Sequence, residues 1–416
     1  MAAVRVSSEI APLETVILHR PGPEIEIMTP ETAFELLYDD ILYQHDALTQ
    51  HNELEAVLKH FANVYLVEDL LTEILDTEEV KRGLLHQLTD VAGCPEVFED
   101  LLQLDAAALT RQLFTGTPLK KDTLTRYLSE RNYALTPLPN FFFMRDSAMI
   151  VNGHVVLGSM ASDIRRAESI IMNWIFKSHP SLNPRGFFLD ASNDRIAGAT
   201  FEGGDVLVAR ADTILIGMGE RTTPQGVDYL IERLRKDQEI RHVIAVRMPK
   251  ARATIHLDMI FTFVDEHACV VYPPLILNEG ELDVFHIYLK DEKTELISQR
   301  RNLLAALAEV NIEVEPIACG GNDALSQARE QWQSGANFFS IAPGKMIGYD
   351  RNPETLKELN RHGYPTVMAK DIIAGDVDIG QMDRFVVAIS SSELVRGGGG
   401  CRCMTMPVLR QDVHEA

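Results

Sequence analysis

A chain of 416 residues is too long for one small core, so a large α/β domain or a domain with an insertion is expected. A formal net charge of −22 argues against nucleic acid or an anionic membrane as partner. With no apolar run of spanning length and no apolar leader in Met1–Glu9, the composition points to a cytoplasmic globular protein.

Leu13–His19 reads as a strand, broken by Arg20-Pro21-Gly22-Pro23. Thr29-Pro30-Glu31 has the cap, proline and acid of a helix start. The apolar spacing of Leu48, Leu54, Val57, Leu58 and Phe61 predicts a helix from His45 to Phe61, and Val64–Val67 a short strand. From Asp69 to about Asn132, leucines recur at three-to-four spacing between short polar breaks. This stretch reads as several short amphipathic helices, an insertion outside any sheet. The expected organisation is therefore 1–68 and 135–416 as one α/β domain, with 69–134 as an inserted helical domain.

Beyond Tyr133 a pattern recurs. Apolar runs flank Asn152-Gly153, a strong hairpin signal. Val206–Ala209 with Thr213–Ile216, Met259–Val264 with Ala268–Tyr272, and Asn337–Ile341 with Lys345–Tyr349 have the same form. Helical stretches follow at Arg165–Phe176, Gln225–Lys236, Thr294–Ala308 and Pro353–Arg361, and then strands such as His242–Val246 and Thr366–Met368. The unit is strand, turn, strand, helix, strand. Its repetition favours a ring of ββαβ units around a central channel over a doubly wound sheet. No glycine-rich strand-to-helix loop of nucleotide-binding form is present.

Polar clusters stand just before the hairpins: Arg145-Asp146, Glu202-Gly203-Gly204-Asp205 and His256-Leu257-Asp258. Gly397–Gly400 and Cys401-Arg402-Cys403 precede the last strand. In a ring of like units these positions meet at one face of the axis. Taken singly, each is an ordinary turn residue or packed side chain; their common position favours a site. The five cysteines are odd in number and form no zinc-type Cys-x-x-Cys pair, which argues against a disulfide framework. A thiolate attacks an electron-poor sp2 carbon while histidine moves the proton. Spare carboxylates imply a flat cationic substrate, and a guanidinium fits. A metal site built from Glu202, His256 and Asp258 is the competing class, short of a second histidine.

The segments Ser8–Gly22, Thr29–Asp40, Pro139–Asp146 (P-N-F-F-F-M-R-D), Phe201–Leu207 (F-E-G-G-D-V-L), Gly217–Thr223, His256–Thr262, Gly348–Asn352 and Cys403–Pro407 (C-M-T-M-P) together resemble the arginine deiminase family of the guanidino-group-modifying (pentein) superfamily. The helical stretch is similar to the extra helical domain of its bacterial members. The resemblance implies a β/α propeller of five ββαβ units and hydrolysis of L-arginine to L-citrulline and ammonia. It implies neither metal nor organic cofactor, and a homo-oligomeric assembly, dimer or tetramer. Cys403 is then the nucleophile and Cys401 a bystander. Asp146 and Asp258 grip the guanidinium, His256 carries protons, and Glu202 orients His256. Arg165 and Arg221 hold the substrate α-carboxylate near Asn140, Phe143 and Leu37 line the methylenes, and Arg396 corresponds to an arginine of a mobile loop. The glycine loop has its own length and composition here, and Phe141–Met144 departs from the family's usual threonine before Arg-Asp. Agmatine deiminase and amidinotransferase are the alternatives on the same fold; agmatine lacks the carboxylate that Arg165 and Arg221 would bind.

Overall fold

The computed structural model describes residues 4–190, 196–290 and 295–412. The fold is mixed α/β, and its described strands form five sheets of three to five strands and one two-stranded ribbon. Four sheets begin with an antiparallel hairpin and continue, through a helix, to a parallel strand. In the first, Ala148–Val151 pairs with His154–Leu157, and the helix Arg166–Ser178 leads to Gly186–Asp190 alongside. Asn152 supplies the left-handed corner of that hairpin, φ 54°, a conformation asparagine tolerates better than most residues. The second runs Val206–Arg210, Thr213–Met218, helix Pro224–Leu234 and His242–Arg247. Thr223 caps that helix by accepting from the Gly226 N–H, and Pro224 fills a first-turn position that needs no N–H. Phe261–Asp265, Ala268–Val271 and Glu315–Ala318 make the third. In the fourth, Phe339–Ala342, Lys345–Tyr349, Thr366–Met368 and Phe385–Ile389 come together. The chain ends meet in the last sheet: Leu13–Leu18 pairs in parallel with Asn63–Leu66 and antiparallel with Met406–Arg410. Strands such as Ala148–Val151, Thr213–Met218 and Ala268–Val271 are buried on both faces, which is why they read as continuous apolar runs.

Helices Val67–Leu75, Glu78–Ala92, Phe98–Leu102 and Ala106–Thr115 occupy the stretch expected to be helical. Their leucines join one apolar core with the first hairpin and the helix Arg166–Ser178, so this helical segment shares its core with the neighbouring sheet. No helix among the described residues is long and apolar enough to cross a membrane.

Two local expectations fail. Pro30–Leu37 is a run of turns and not a helix; its groups are drawn to distant partners, with Tyr38 donating to the Pro139 carbonyl and Asn140 to that of Leu36. The expected helix Thr294–Ala308 is a strand, Glu295–Arg300, followed by a shorter helix, Leu303–Glu309. Thr294 lies outside the described residues. The strand pairs with Asp283–Leu289 and widens the second sheet to five strands.

Candidate active site

Glu202 and His256 are held alike. Each has extended backbone immediately before a 3-10 turn, Gly203–Asp205 and Leu257–Met259. The two turns are tied by Asp205, which accepts from the Leu257 N–H at 2.8 Å and the Thr222 hydroxyl at 2.6 Å. The glycines of Glu-Gly-Gly-Asp are required by close approach. A Cβ on Gly203 would lie 2.0 Å from the Arg145 carbonyl oxygen, and one on Gly204 2.4 Å from His256 Nδ1.

His256 faces carboxylates through both nitrogens, with Nε2 2.9 Å from Glu202 Oε2 and Nδ1 3.6 Å from Asp146 Oδ1. Burial opposes its charge, but Asp146 and the Glu202 hydrogen bond outweigh burial and raise the imidazole to about 9. Burial would likewise raise Glu202; the His256 hydrogen bond and Arg221 reverse this and hold it at about 2. Glu202 also accepts from the Ala161 N–H at 3.0 Å.

Cys403 enters the same space from the glycine loop. Its Sγ lies 3.8 Å from Asp258 Oδ2, and its N–H donates to Asn337 Oδ1, as does that of Arg402. Asn337 in turn donates to the Asp258 carbonyl. Burial, then the charges of Asp258 and Asp146, push the Cys403 thiol well above its ordinary range. Cys401 is buried but stands outside the cavity wall.

The cavity bounded by Cys403, His256, Asp146, Phe143, Leu37 and the glycine loop contains only about 30 Å3 of free space, near the volume of a single water. Asn140, Arg165 and Arg221 also line it. Glu202 and Asp258 stand just behind the wall. Asp258 Oδ2 accepts from Arg402 at 2.8 Å, while the buried Oδ1 has no hydrogen-bond partner among the described residues. Such an acceptor is costly unless something completes it. Arg402 also forms a two-pronged bond to Glu9.

Arg165 is more committed than expected of a residue that receives a free carboxylate. It binds Asp146 at 2.6 Å, forks onto Glu168 and donates to the Asn140 and Phe143 carbonyls. Arg221 is looser, its nearest carboxylate oxygen being Glu202 Oε1 at 3.9 Å. Arg396 stands apart from the cavity, paired with Asp40 and Glu393 on the outside.

Asp146, Glu202 and His256 bring possible metal-ligand atoms within 4.8 Å of one another. The set differs from Glu202, His256 and Asp258, because Asp258 turns to Arg402. Arg165 and Arg221 already face its two carboxylates, and their positive charge opposes a further cation there.

Two lining or supporting residues escaped the sequence reading. Arg252 lines the cavity, donating to Asp39 at 2.6 Å and to the Leu37 carbonyl at 2.8 Å. Asn337 precedes a hairpin, the position at which Asp146, Glu202 and His256 also stand; that placement was the available signal.

Solved structures with the same architecture define the class. The chain matches the product-bound N-terminal domain of ArgZ, an arginine dihydrolase from cyanobacteria, with a TM-score of 0.52 and 13% identity, over 95% of this chain and 97% of that one. A dimethylarginine dimethylaminohydrolase adduct with S-methyl-L-thiocitrulline matches at 0.51 and 14%, over 95% and 99%. The fold is therefore that of the pentein enzymes.

The family model for arginine deiminase matches residues 34–410. Arginine deiminases of Bacillus cereus (strain ATCC 10987 / NRS 248) and Listeria monocytogenes serovar 1/2a are each 33% identical, over 99% of this chain and 99% and 98% of theirs. The chain belongs to the arginine deiminase family.

Proposed function

We propose that this chain hydrolyses L-arginine to L-citrulline and ammonia through a covalent S-alkylthiouronium intermediate on Cys403. The observation that carries this reading is the sharing of one buried cavity by the Cys403 thiol, the His256 imidazole and the Asp146 carboxylate, with Asp258 3.8 Å from the sulfur.

In the empty site the thiol is protonated, because burial and two carboxylates oppose a thiolate. A guanidinium between Asp146 and Asp258 neutralises that field. The thiol then loses its proton to solvent, and the sulfur adds to the guanidinium carbon. His256 begins as imidazolium and gives its proton to the departing nitrogen, which leaves as ammonia. Neutral His256 next takes a proton from water as the oxygen adds to the same carbon. The carbon–sulfur bond then breaks as the new hydroxyl gives its remaining proton to the departing sulfur, which restores the thiol and leaves the citrulline carbonyl. Glu202 keeps the imidazole oriented and charged. Arg221, with Arg165 behind Asp146, supplies positive charge for the α-carboxylate, Phe143 and Leu37 flank the methylenes beside Asn140, and Arg396 acts from the loop margin.

The same reading takes the sheets as five ββαβ units around a channel, with 69–134 inserted between 1–68 and 135–416. It takes the protein to be cytoplasmic and a dimer or tetramer. Five sheets share a strand–turn–strand start or close the chain ends, which supports the ring.

Citrulline formation from arginine tests the assignment. Cys403→Ser should abolish it and Cys401→Ser should retain it; the reverse pattern moves the nucleophile to Cys401. Glu202→Gln or His256→Asn should accumulate a covalent adduct visible by intact mass.

A further inference from the structure

A second cavity lies away from the catalytic one, between the inserted helices and the first sheet unit. Its volume is about 370 Å3, inside the range of roughly 300–1,000 Å3 typical of small-molecule sites. Leu88, Leu113, Leu135 and Ile171 are among its apolar walls, and Arg131 and Arg166 bring cations to it.

Its shape follows from how two helices pack. Glu78–Ala92 and Arg166–Ser178 touch at one end, where Gly83 lies against the Trp174 ring so closely that a Cβ would stand 2.2 Å away. Trp174 fixes that end by donating to Gln87 at 2.8 Å. Toward Ala92 and Ala167 the helices part, and these small side chains leave a wedge open among residues that elsewhere belong to one continuous core. The open end faces the first turn of Arg166–Ser178.

Among the described residues the Arg166 cation has no ion-pair partner, and its buried Nε lacks a hydrogen-bond partner. Arg131 donates to the Ala134 carbonyl and meets no carboxylate within ion-pairing distance among the described residues. Asp163, also on the wall, has a partner of its own. A half-buried guanidinium whose buried Nε is left unsatisfied, in a chain with so large an acidic excess, calls for an anion. The helix start adds partial positive charge. A wall that is mostly apolar with one unpaired cation suits a single negative group on an apolar body.

We propose that this wedge is a binding site for a small amphiphilic carboxylate, its carboxylate on Arg166 and its apolar part between the two helices. An occupant would sit one residue from Arg165, whose guanidinium holds Asp146 in the catalytic cavity.

Octanoate is the probe, with octanamide as its neutral counterpart, each titrated into the full-length protein by calorimetry. Octanoate should bind, and octanamide should bind about tenfold more weakly or worse. Arg166→Gln should weaken octanoate by about tenfold, and Ala167→Trp should remove binding by filling the wedge. Both variants should keep citrulline formation, which certifies their fold, since neither position lines the catalytic cavity. No binding of octanoate to the wild type, equal binding of acid and amide, or unchanged affinity in Arg166→Gln would each overturn the proposal.

Discussion

Asn337 shows how far a residue can matter without touching the reaction. One side-chain oxygen accepts the N–H groups of Arg402 and Cys403, and the amide nitrogen donates to the Asp258 carbonyl. It thereby sets the distance between the sulfur and the carboxylate. Truncation leaves two buried N–H groups unpaired, a cost of about 1–3 kcal/mol each, and frees the nucleophile. Asn337→Ala should therefore lower kcat by at least about tenfold while KM moves little, as expected of an alignment lost in the transition state. Steady-state kinetics on arginine decide it, and an equal rise in KM would make Asn337 a binding residue instead. Gly204 makes the complementary case. Gly204→Ala would drive a Cβ into His256, and the thermal midpoint and turnover should both fall. Cys403, His256, Glu202, Asp146 and Asp258 were legible because they stand at like places before strands. The commitments of Arg165 to Glu168 and of Asp258 to Arg402 were not, because a sequence gives residue types and not which charge reaches which.

At the scale of elements, the segment Thr29–Leu42 is the instructive miss. Its cap signals favour a helix locally, yet turns win because partners about a hundred residues and more away hold it. Tyr38 and Asn140 tie it to the loop bearing Phe143, and Arg252 ties Leu37 and Asp39 to the cavity rim. Leu37 accepts a left-handed backbone, φ 70°, a strained choice for a leucine that the surrounding bonds must maintain. With Gly398 beneath it, the Arg252 guanidinium leaves no room for a side chain at that loop position. The segment thus covers one side of the cavity through Leu37 and is fastened there by Arg252. Loosening it with Arg252→Ala should raise KM by about tenfold and speed alkylation of Cys403 by iodoacetamide in the absence of substrate. Unchanged alkylation would show that the cover is not fastened there. The strand Glu295–Arg300 was missed for a related reason. Leu296 and Ile297 are adjacent and both exposed, so no alternation marks a strand. Its pairing with Asp283–Leu289 decides the conformation.

Across the whole molecule, the repeated hairpin, helix and strand were legible because each repeat carries its own turn chemistry and apolar runs. The arrangement of charge at their convergence was not, and it sets the response to pH. Burial raises Asp205 and Glu168 to about 7, and their neighbours raise His256 to about 9 against burial. Each of these groups binds its proton more tightly folded than unfolded. Their contribution is complete below the ordinary carboxylate pKa for the acids and below 6.5 for the imidazole, and is lost as pH rises through about 7 and then about 9. Glu202 and Glu9 work in the opposite sense. Arg221 and His256 hold the first at about 2, and Arg402 with Arg145 the second, so their contribution is lost only as pH falls through that value. Alkaline conditions should therefore weaken the fold well before strong acid does. The thermal midpoint is expected to be higher at mildly acidic pH than at pH about 9, and His256→Asn should flatten the alkaline part of that decline while starting the acid limb at a higher pH, because Glu202 loses the hydrogen bond that holds it low. A midpoint that rose steadily toward alkaline pH would show that the buried acids are ionised in the folded chain, and the charge assignment around His256 would have to be redrawn.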